Sequence, residues 1–225
     1  MKRLVSLLLT FAVVFTLCGC GNSKKAFFLS KDAYDKVTTA YEITDEFGSD
    51  VYEAWRLAIY EKDTVKKGGT KYLSNELNLT EAELNEGTAY ALATVAGNNW
   101  GEMDESEKDI YRTSVKANSG YVFSLYSEVL FSFCIQCVVG AYVTNGEVEE
   151  AQQSLDEAKS LMKELSDKYS DYEHYPSLKG YYTTTKSFFD FCQAPTGSFN
   201  QLVDTMNNYR NAVRDYKADL DYIFE

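Results

Sequence analysis

The sequence predicts an all-α fold, an elongated antiparallel bundle of about four to six long helices in a single domain. Three observations lead there. Only two prolines interrupt the 225 residues; a proline inside a helix costs about 3 kcal/mol, so their scarcity leaves room for long helices. Apolar residues recur at alternating three- and four-residue steps over several stretches, the spacing of one helical face. No run of alternating β-branched residues is long enough to make a sheet.

In chain order, Lys2 and Arg3 form a short positive region ahead of the apolar stretch Leu4–Leu17. That stretch is short for a membrane span, which needs about 20 residues, and has the build of a secretory signal peptide. It closes on Leu17-Cys18-Gly19-Cys20, which resembles the lipobox of bacterial lipoproteins. Cys18 stands where Ala or Ser is more usual. The resemblance implies cleavage after Gly19, so that residues 1–19 are a removable signal peptide, and a thioether-linked diacylglycerol on Cys20. It further implies a cell-membrane location on the extracytoplasmic face, with the lipid anchor as the contact to the membrane. One acyl chain holds a protein to a bilayer marginally and two hold it stably. Residues 20–29 are then a lipidated tether and 30–225 the helical domain.

Within the tether, Phe27, Phe28 and Leu29 either staple the first helix or dip into the membrane interface, and the staple is the favoured reading. That helix is placed at Asp32–Lys62, where Tyr34, Val37, Tyr41, Thr44, Gly48, Val51, Trp55 and Ala58 share a stripe widened by Ile43, Phe47, Ala54 and Leu57. Gly68-Gly69 makes residues 63–79 read as a loop. Thr80 with Glu83 forms a capping box, so a second helix is expected from there to Gly97-Asn98-Asn99.

Asp104 with Glu107 is another capping box, and no proline follows before Asn145-Gly146. Residues 104–145 therefore read as one long helix, apolar nearly all round from Tyr121 to Val143. Such a helix must be enclosed, and it is expected to be the central rod of the bundle. Its greasiest part, Val129–Val143, is too short for a span and carries Ser132 and Gln136, which favours a core helix over a membrane one. The turn at Asn145-Gly146 should send the next helix back antiparallel to the rod, with the stripe Val148, Ala151, Leu155, Ala158, Met162, Leu165, Tyr169, Tyr172.

Two readings of Pro176 stand. No Gly or Asn ends a helix just before it, which favours one helix from Glu147 to about Cys192 kinked at the proline. A hairpin there would instead fold Phe188, Phe189 and Phe191 beside the rod and bring Cys192 level with Cys134 and Cys137. Pro195-Thr196-Gly197 is a turn, and Ser198 with Gln201 opens the last helix.

The net charge is −12. Loss of Lys2 and Arg3 with the leader would make the remainder more acidic still. An acidic exterior excludes nucleic-acid binding, which needs a basic face; Lys24 and Lys25 beside the anchor are placed to touch headgroups. Cys134, Cys137 and Cys192 are an odd set, so at least one stays unpaired within the chain. Cys134-Ile-Gln-Cys137 is a CxxC, but a redox pair owes its low pKa to a helix N-terminus and partial exposure. In mid-helix these two read as small buried apolar groups.

His174 is the single histidine, which excludes a ferritin-type dimetal site with its two Glu-x-x-His pairs. No G-x-S-x-G elbow accompanies it. Tyr182-Thr-Thr-Thr-Lys186 matches the Tyr-x-x-x-Lys spacing of short-chain dehydrogenases, but no glycine-rich nucleotide loop precedes it. Tyr142, Gly146, Ala151 and Ala158 resemble part of a tetratricopeptide repeat. There is one copy where arrays need about three, so a generic helical hairpin is the reading. No catalytic, metal or cofactor-binding residue is expected beyond the lipid on Cys20.

The function expected is non-enzymatic: a membrane-anchored lipoprotein serving as a protein-interaction or structural module at the cell envelope, with a protein or envelope partner and no nucleic acid. The alternative is a ligand sensor with a small-molecule cavity between helices. A closed, dry core favours the first, and a Tyr-lined pocket of several hundred cubic ångströms the second.

Overall fold

A computed structural model describes the backbone of residues 2–224 and the side chains of residues 23–224. Among them every regular element is helical. There are nine α-helices rather than four to six: α1 (Lys2–Tyr60), α2 (Lys62–Glu76), α3 (Glu81–Val95), α4 (Glu105–Ala117), α5 (Ser119–Leu125), α6 (Leu130–Thr144), α7 (Glu147–Lys168), α8 (Tyr175–Gln193) and α9 (Phe199–Phe224). Single 3₁₀ turns at Trp100–Glu102 and Ser127–Val129 complete the set.

Helix α1 is the spine. From Lys24 onward it passes through two packing regions, with α7, α8 and α9 around its earlier turns and α2, α3, α5 and α6 around its last. The register of side-chain contacts gives the directions. Lys36 pairs with Glu157 at 2.5 Å and Ser30 donates to Tyr172 Oη at 2.9 Å, so α7 runs against α1. Thr38 meets Tyr181, and Gly48 lies beside Phe188 and Cys192, so α8 runs with it. Arg210 reaches Asp45 at 2.5 Å, while Lys217 reaches Tyr34 at 3.0 Å, so α9 runs against it. These four helices form an up-down-up-down bundle. Its core is Ala33, Val37, Ala40, Leu155, Ala158, Leu165, Leu178, Tyr181, Phe189, Val213 and Leu220, all buried.

Helix α1 already covers residues 23–29, so this part of the expected tether is helical. Phe27 packs with its ring 5.6 Å from that of Phe224 and Ala26 is buried, whereas Phe28 faces outward. The side chains of Cys20 and of the rest of the leader are outside the described part of the structure.

The expected central rod is not one helix. Residues 104–145 break at Asn118 (φ −168°, ψ 88°), whose side chain caps Tyr121 N at 2.9 Å, and again at Tyr126–Val129. The reason lies across the chain. Gly120 passes over the backbone of α2, where an added Cβ would come within 2.6 Å of the Lys67 carbonyl oxygen. A straight helix could not put that glycine there. The supposed loop 63–79 is correspondingly α2 over most of its length. Gly69 (φ 55°, ψ −141°) breaks it once, and buried Val65 and Leu73 hold it down. Gly69 serves close approach to Ser119 and Gly120 rather than a loop.

What survives of the rod is α6, with fifteen residues. It packs mainly against α1 and α3 and little against α7, which follows α1 instead. Ser127–Thr144 is apolar enough in composition for a span, yet half of it is buried against protein. The α3–α6 crossing is glycine to glycine: a Cβ on Gly140 would meet the Gly87 carbonyl oxygen at 2.6 Å.

Pro176 makes a hairpin, not a kink. Helix α7 stops at Lys168, the chain turns through Tyr172 N→Tyr169 O (3.0 Å) and Tyr175 N→Tyr172 O (3.1 Å), and Pro176 sits in the first turn of α8. Its missing N–H costs nothing at that position. Tyr172 and Tyr175 pack onto the bundle core and supply the stop that no glycine provides.

One buried polar pin joins the two halves. Asp50 on α1 is 1% exposed, accepting from Asn78 N (3.0 Å), Asn78 Nδ2 (3.1 Å) and Tyr142 Oη (3.0 Å). Burial pushes its carboxyl above the ordinary range, with these donors pulling the other way. Tyr142 stacks on Phe47 at 4.5 Å, so the pin fixes α6 and the α2–α3 connection to the spine.

Candidate functional site

The end of α1 carries Tyr52, Trp55 and Tyr60 on its last turns, and three other elements close on Trp55. Helix α6 brings Phe131, Ser132, Ile135 and Gln136; α3 brings Tyr90 and Thr94; and the α8–α9 connection lays Ala194-Pro195-Thr196-Gly197 along the rim. Together they bound an open cleft of about 560 Å³. The rim is fixed locally: Gly197 takes φ +100°, which L side chains rarely adopt. Ser198 and Gln201 then cap α9 reciprocally at 2.8 and 3.4 Å.

An aromatic strip runs past the cleft through Trp55 and Phe131. Tyr60 lies 6.1 Å from Phe199, Phe199 lies 6.3 Å from Trp55, and Trp55 stacks on Phe131 at 5.6 Å with 19° between the rings. Tyr52 stacks on Phe199 from the other side at 5.5 Å. Trp55 is buried, whereas Phe131 is 42% and Tyr60 69% exposed. The strip therefore runs from the interior of the cleft out onto the surface.

No Lys, Arg, Asp, Glu or His lines the cleft. Its polar groups are the hydroxyls of Tyr90, Thr94, Ser132 and Thr196 and the amides of Gln136 and Gln193. Its one polar anomaly is Gln136, whose Oε1 is buried without a hydrogen-bond partner, a condition shared among the described residues only by Thr185 Oγ1. An unmet buried acceptor costs about 1–3 kcal/mol. Gln136→Met keeps the shape and removes that demand, so stability should stay level or rise by up to about 1 kcal/mol. Urea unfolding measures this, and a loss of about 2 kcal/mol or more would mean that the amide serves the fold after all.

A larger groove of about 960 Å³ follows α7, bordered by Glu149, Gln152, Gln153, Asp156 and Glu157. These are the side chains of a solvated helix face and they do not converge, so its size carries no chemistry. The apolar hollow of about 490 Å³ between Leu92, Val95, Tyr121 and Leu125 has no polar anomaly of its own.

The sequence-level candidates are scattered. Cys134 and Cys137 are buried in α6 and Cys192 in α8, all three as free thiols. Burial pushes Cys137 up to about 12 and the other two well above the usual thiol range. Such thiols are not nucleophiles at neutral pH. His174 stands at the start of α8 with its imidazole 3.0 Å from Glu173 and edge-on to Tyr172, away from the cleft. Lys186 is paired with Asp190 at 2.9 Å, one turn beyond Tyr182. Gly146 takes φ 95° in the tight turn before α7. Cys20 lies outside the residues whose side chains are described.

The cleft itself was missed from sequence. Ser132 and Gln136 are visible in the sequence as polar residues on an apolar helix, and both are among the residues that line it. Neither a family model, nor a curated protein, nor a solved structure matches this chain.

Proposed function

We propose that this chain is a lipid-anchored module on the extracytoplasmic face of the cell membrane, non-enzymatic, which docks another protein on the aromatic strip around Trp55. The observation that carries the reading is the run Tyr60–Phe199–Trp55–Phe131, which leaves two aromatic rings substantially exposed beside a cleft without charged side chains. Aromatic residues are enriched at the energetic centres of interfaces, where a packed apolar centre excludes water. The strip also lies far along α1 from Phe27: at about 1.5 Å per residue the separation is roughly 40 Å, which would keep it clear of a membrane at the anchored end.

Two measurements test the reading. Radiolabelled palmitate should enter the wild-type protein and be lost entirely in Cys20→Ala; undiminished label in the variant would refute the anchor. In-cell crosslinking should capture one reproducible protein with the wild type and lose it with Phe131→Ser. Capture that ignores Phe131→Ser would move the docking surface elsewhere. A co-purifying small molecule with no protein partner would favour a ligand-sensing lipoprotein, a reading that the size of the cleft also admits.

A further inference from the structure

Helix α5 is a ridge with two unlike flanks. On one side it lies on α2: Ser124 Oγ donates to the Lys66 carbonyl oxygen at 3.4 Å, and Gly120 sits over the Lys67 carbonyl. Lys62, one turn before Lys66, joins this flank. Together the three lysines hold the Asp63 carboxyl below its ordinary range, Lys66 foremost through a 2.7 Å contact. Lys62 and Lys67 are exposed and pair with no carboxylate among the described residues. Lys116 is equally free at the end of α4, just before Ser119, whose hydroxyl abuts Gly69 of α2. Glu61 is engaged by Arg56 and Tyr72, and Glu128 beyond α5 is the exposed acid that partly offsets the lysines. On the other flank lies the apolar hollow shared with α3 and α4. Tyr121 is 62% and Leu125 61% exposed there, and Val95 and Ile110 at its margins are half exposed or more.

We propose that this ridge docks on a bilayer surface carrying anionic headgroups, with the lysines of α2 and Lys116 on the headgroups and Tyr121 and Leu125 entering the boundary with the acyl chains. The surface is separate from the strip around Trp55 and stands whether or not that strip docks a protein. Charge complementarity sets the sign of the partner. At physiological ionic strength charges are screened beyond about 8 Å, so these local lysines, rather than the net charge of −12, decide what approaches. The kind of cation and its neighbours set the class. Protein interfaces are enriched in arginine and depleted in lysine, whereas the free cations here are all lysine. A soluble anionic polymer would satisfy the lysines and leave Tyr121, Leu125 and Ile110 in water. A headgroup layer takes both at once: basic side chains are drawn to its phosphates, while tyrosine and aliphatic tips lie in its interface.

The test uses the full chain reconstituted into vesicles, with a polarity-sensitive nitrobenzoxadiazole dye on Ser124→Cys. Cys134, Cys137 and Cys192 are buried, and the parent without the new thiol gives the background. In vesicles of phosphatidylcholine with phosphatidylglycerol the dye should shift to the blue and be quenched by spin-labelled lipid, in the same bilayer or a neighbouring one. In phosphatidylcholine alone it should report water, as it should in 1 M salt, where the screening length falls to about 3 Å. The same dye on Gln153→Cys, on the exposed side of α7, should report water throughout. Each lysine near an anionic surface is worth roughly fivefold, so Lys62→Ala with Lys67→Ala should lower the ratio of docked to free protein at least about tenfold. Both side chains are exposed, and unchanged urea unfolding of this variant shows the fold intact. Tyr121→Ser with Leu125→Ser should also weaken the contact, leaving its salt dependence in place. Quenching that is equal with and without phosphatidylglycerol, or indifferent to the lysine pair, overturns the proposal. So does a dye that stays in water while in-cell crosslinking captures a protein that the lysine variant loses, which would assign these lysines to an acidic protein.

Discussion

Gly87→Ala is expected to cost about 3 kcal/mol or more and to leave the protein largely unfolded at moderate temperature. A methyl at Gly87 would come within 2.5 Å of Ala141 N and 2.9 Å of Ala141 Cα, and closer still to the Cys137 carbonyl oxygen. All three are backbone atoms of α6, so no side chain can swing aside. Overpacking usually costs about 1–3 kcal/mol, and a contact rigid on both sides belongs at or beyond the top of that range. Alanine regains about 1 kcal/mol of helix propensity over glycine, too little to change the sign. The control is Gly101→Ala, where the added atom meets nothing nearer than Asn99 Oδ1 at 3.6 Å; it should stay within about 0.5 kcal/mol of wild type. Thermal and urea unfolding of both variants decide the matter, and a stable Gly87→Ala would mean that the helices cross at a greater distance. The same contact positions the cleft, because Gly140 abuts Tyr90, which lines it.

Asp50→Ala should cost about 3 kcal/mol, since it strands two donors of Asn78 and the hydroxyl of Tyr142 inside the protein. Asp50→Asn should cost clearly less, because an amide can still accept from Asn78 and pair with Tyr142. Comparing the wild type with the Asn variant also isolates a pH effect. Burial is the main cause of the raised carboxyl pKa of Asp50, so the folded state holds this proton more tightly than the unfolded chain. Its stabilising contribution is full below the ordinary value of 3.8 and is lost as pH rises from there through the raised folded value. Wild type should therefore gain on Asp50→Asn as pH is lowered through that interval. Carboxylates held below the ordinary range, such as Glu83 and Asp104, slope the other way but cancel in the difference. A difference that is flat with pH, or that falls on acidification, would show Asp50 to be charged at no cost.

Local chemistry was legible in the sequence wherever a few neighbouring residues decide it. The capping boxes at Thr80/Glu83 and Asp104/Glu107 form as their spacing predicts, and Ser198 and Gln201 open α9 as expected. The stripe of α1 is the buried one, from Tyr34 through Val37, Val51 and Trp55 to Ala58. What failed was decided by partners distant in sequence. Asn118-Ser119-Gly120 is a plain helix-breaking triplet, but an apolar run on its far side masked it until Gly120 is seen against Lys67. Pro176 is ambiguous by local rules; Tyr172, held by Ser30 across the bundle, turns it into a hairpin. The cleft is the extreme case, assembled from residues 55, 90, 131–136 and 194–197 with no shared periodicity.

The order in which the helices alternate around α1 has a consequence for biogenesis. Tyr34 bonds to Asp221, 187 positions later, and Ser30 to Tyr172. Helix α1 is thus made long before it is fully clothed. At about 5–20 residues per second its sticky side waits on the order of ten seconds or more for α9 to be made. Removing α9 should therefore leave that side bare and give aggregated material on expression.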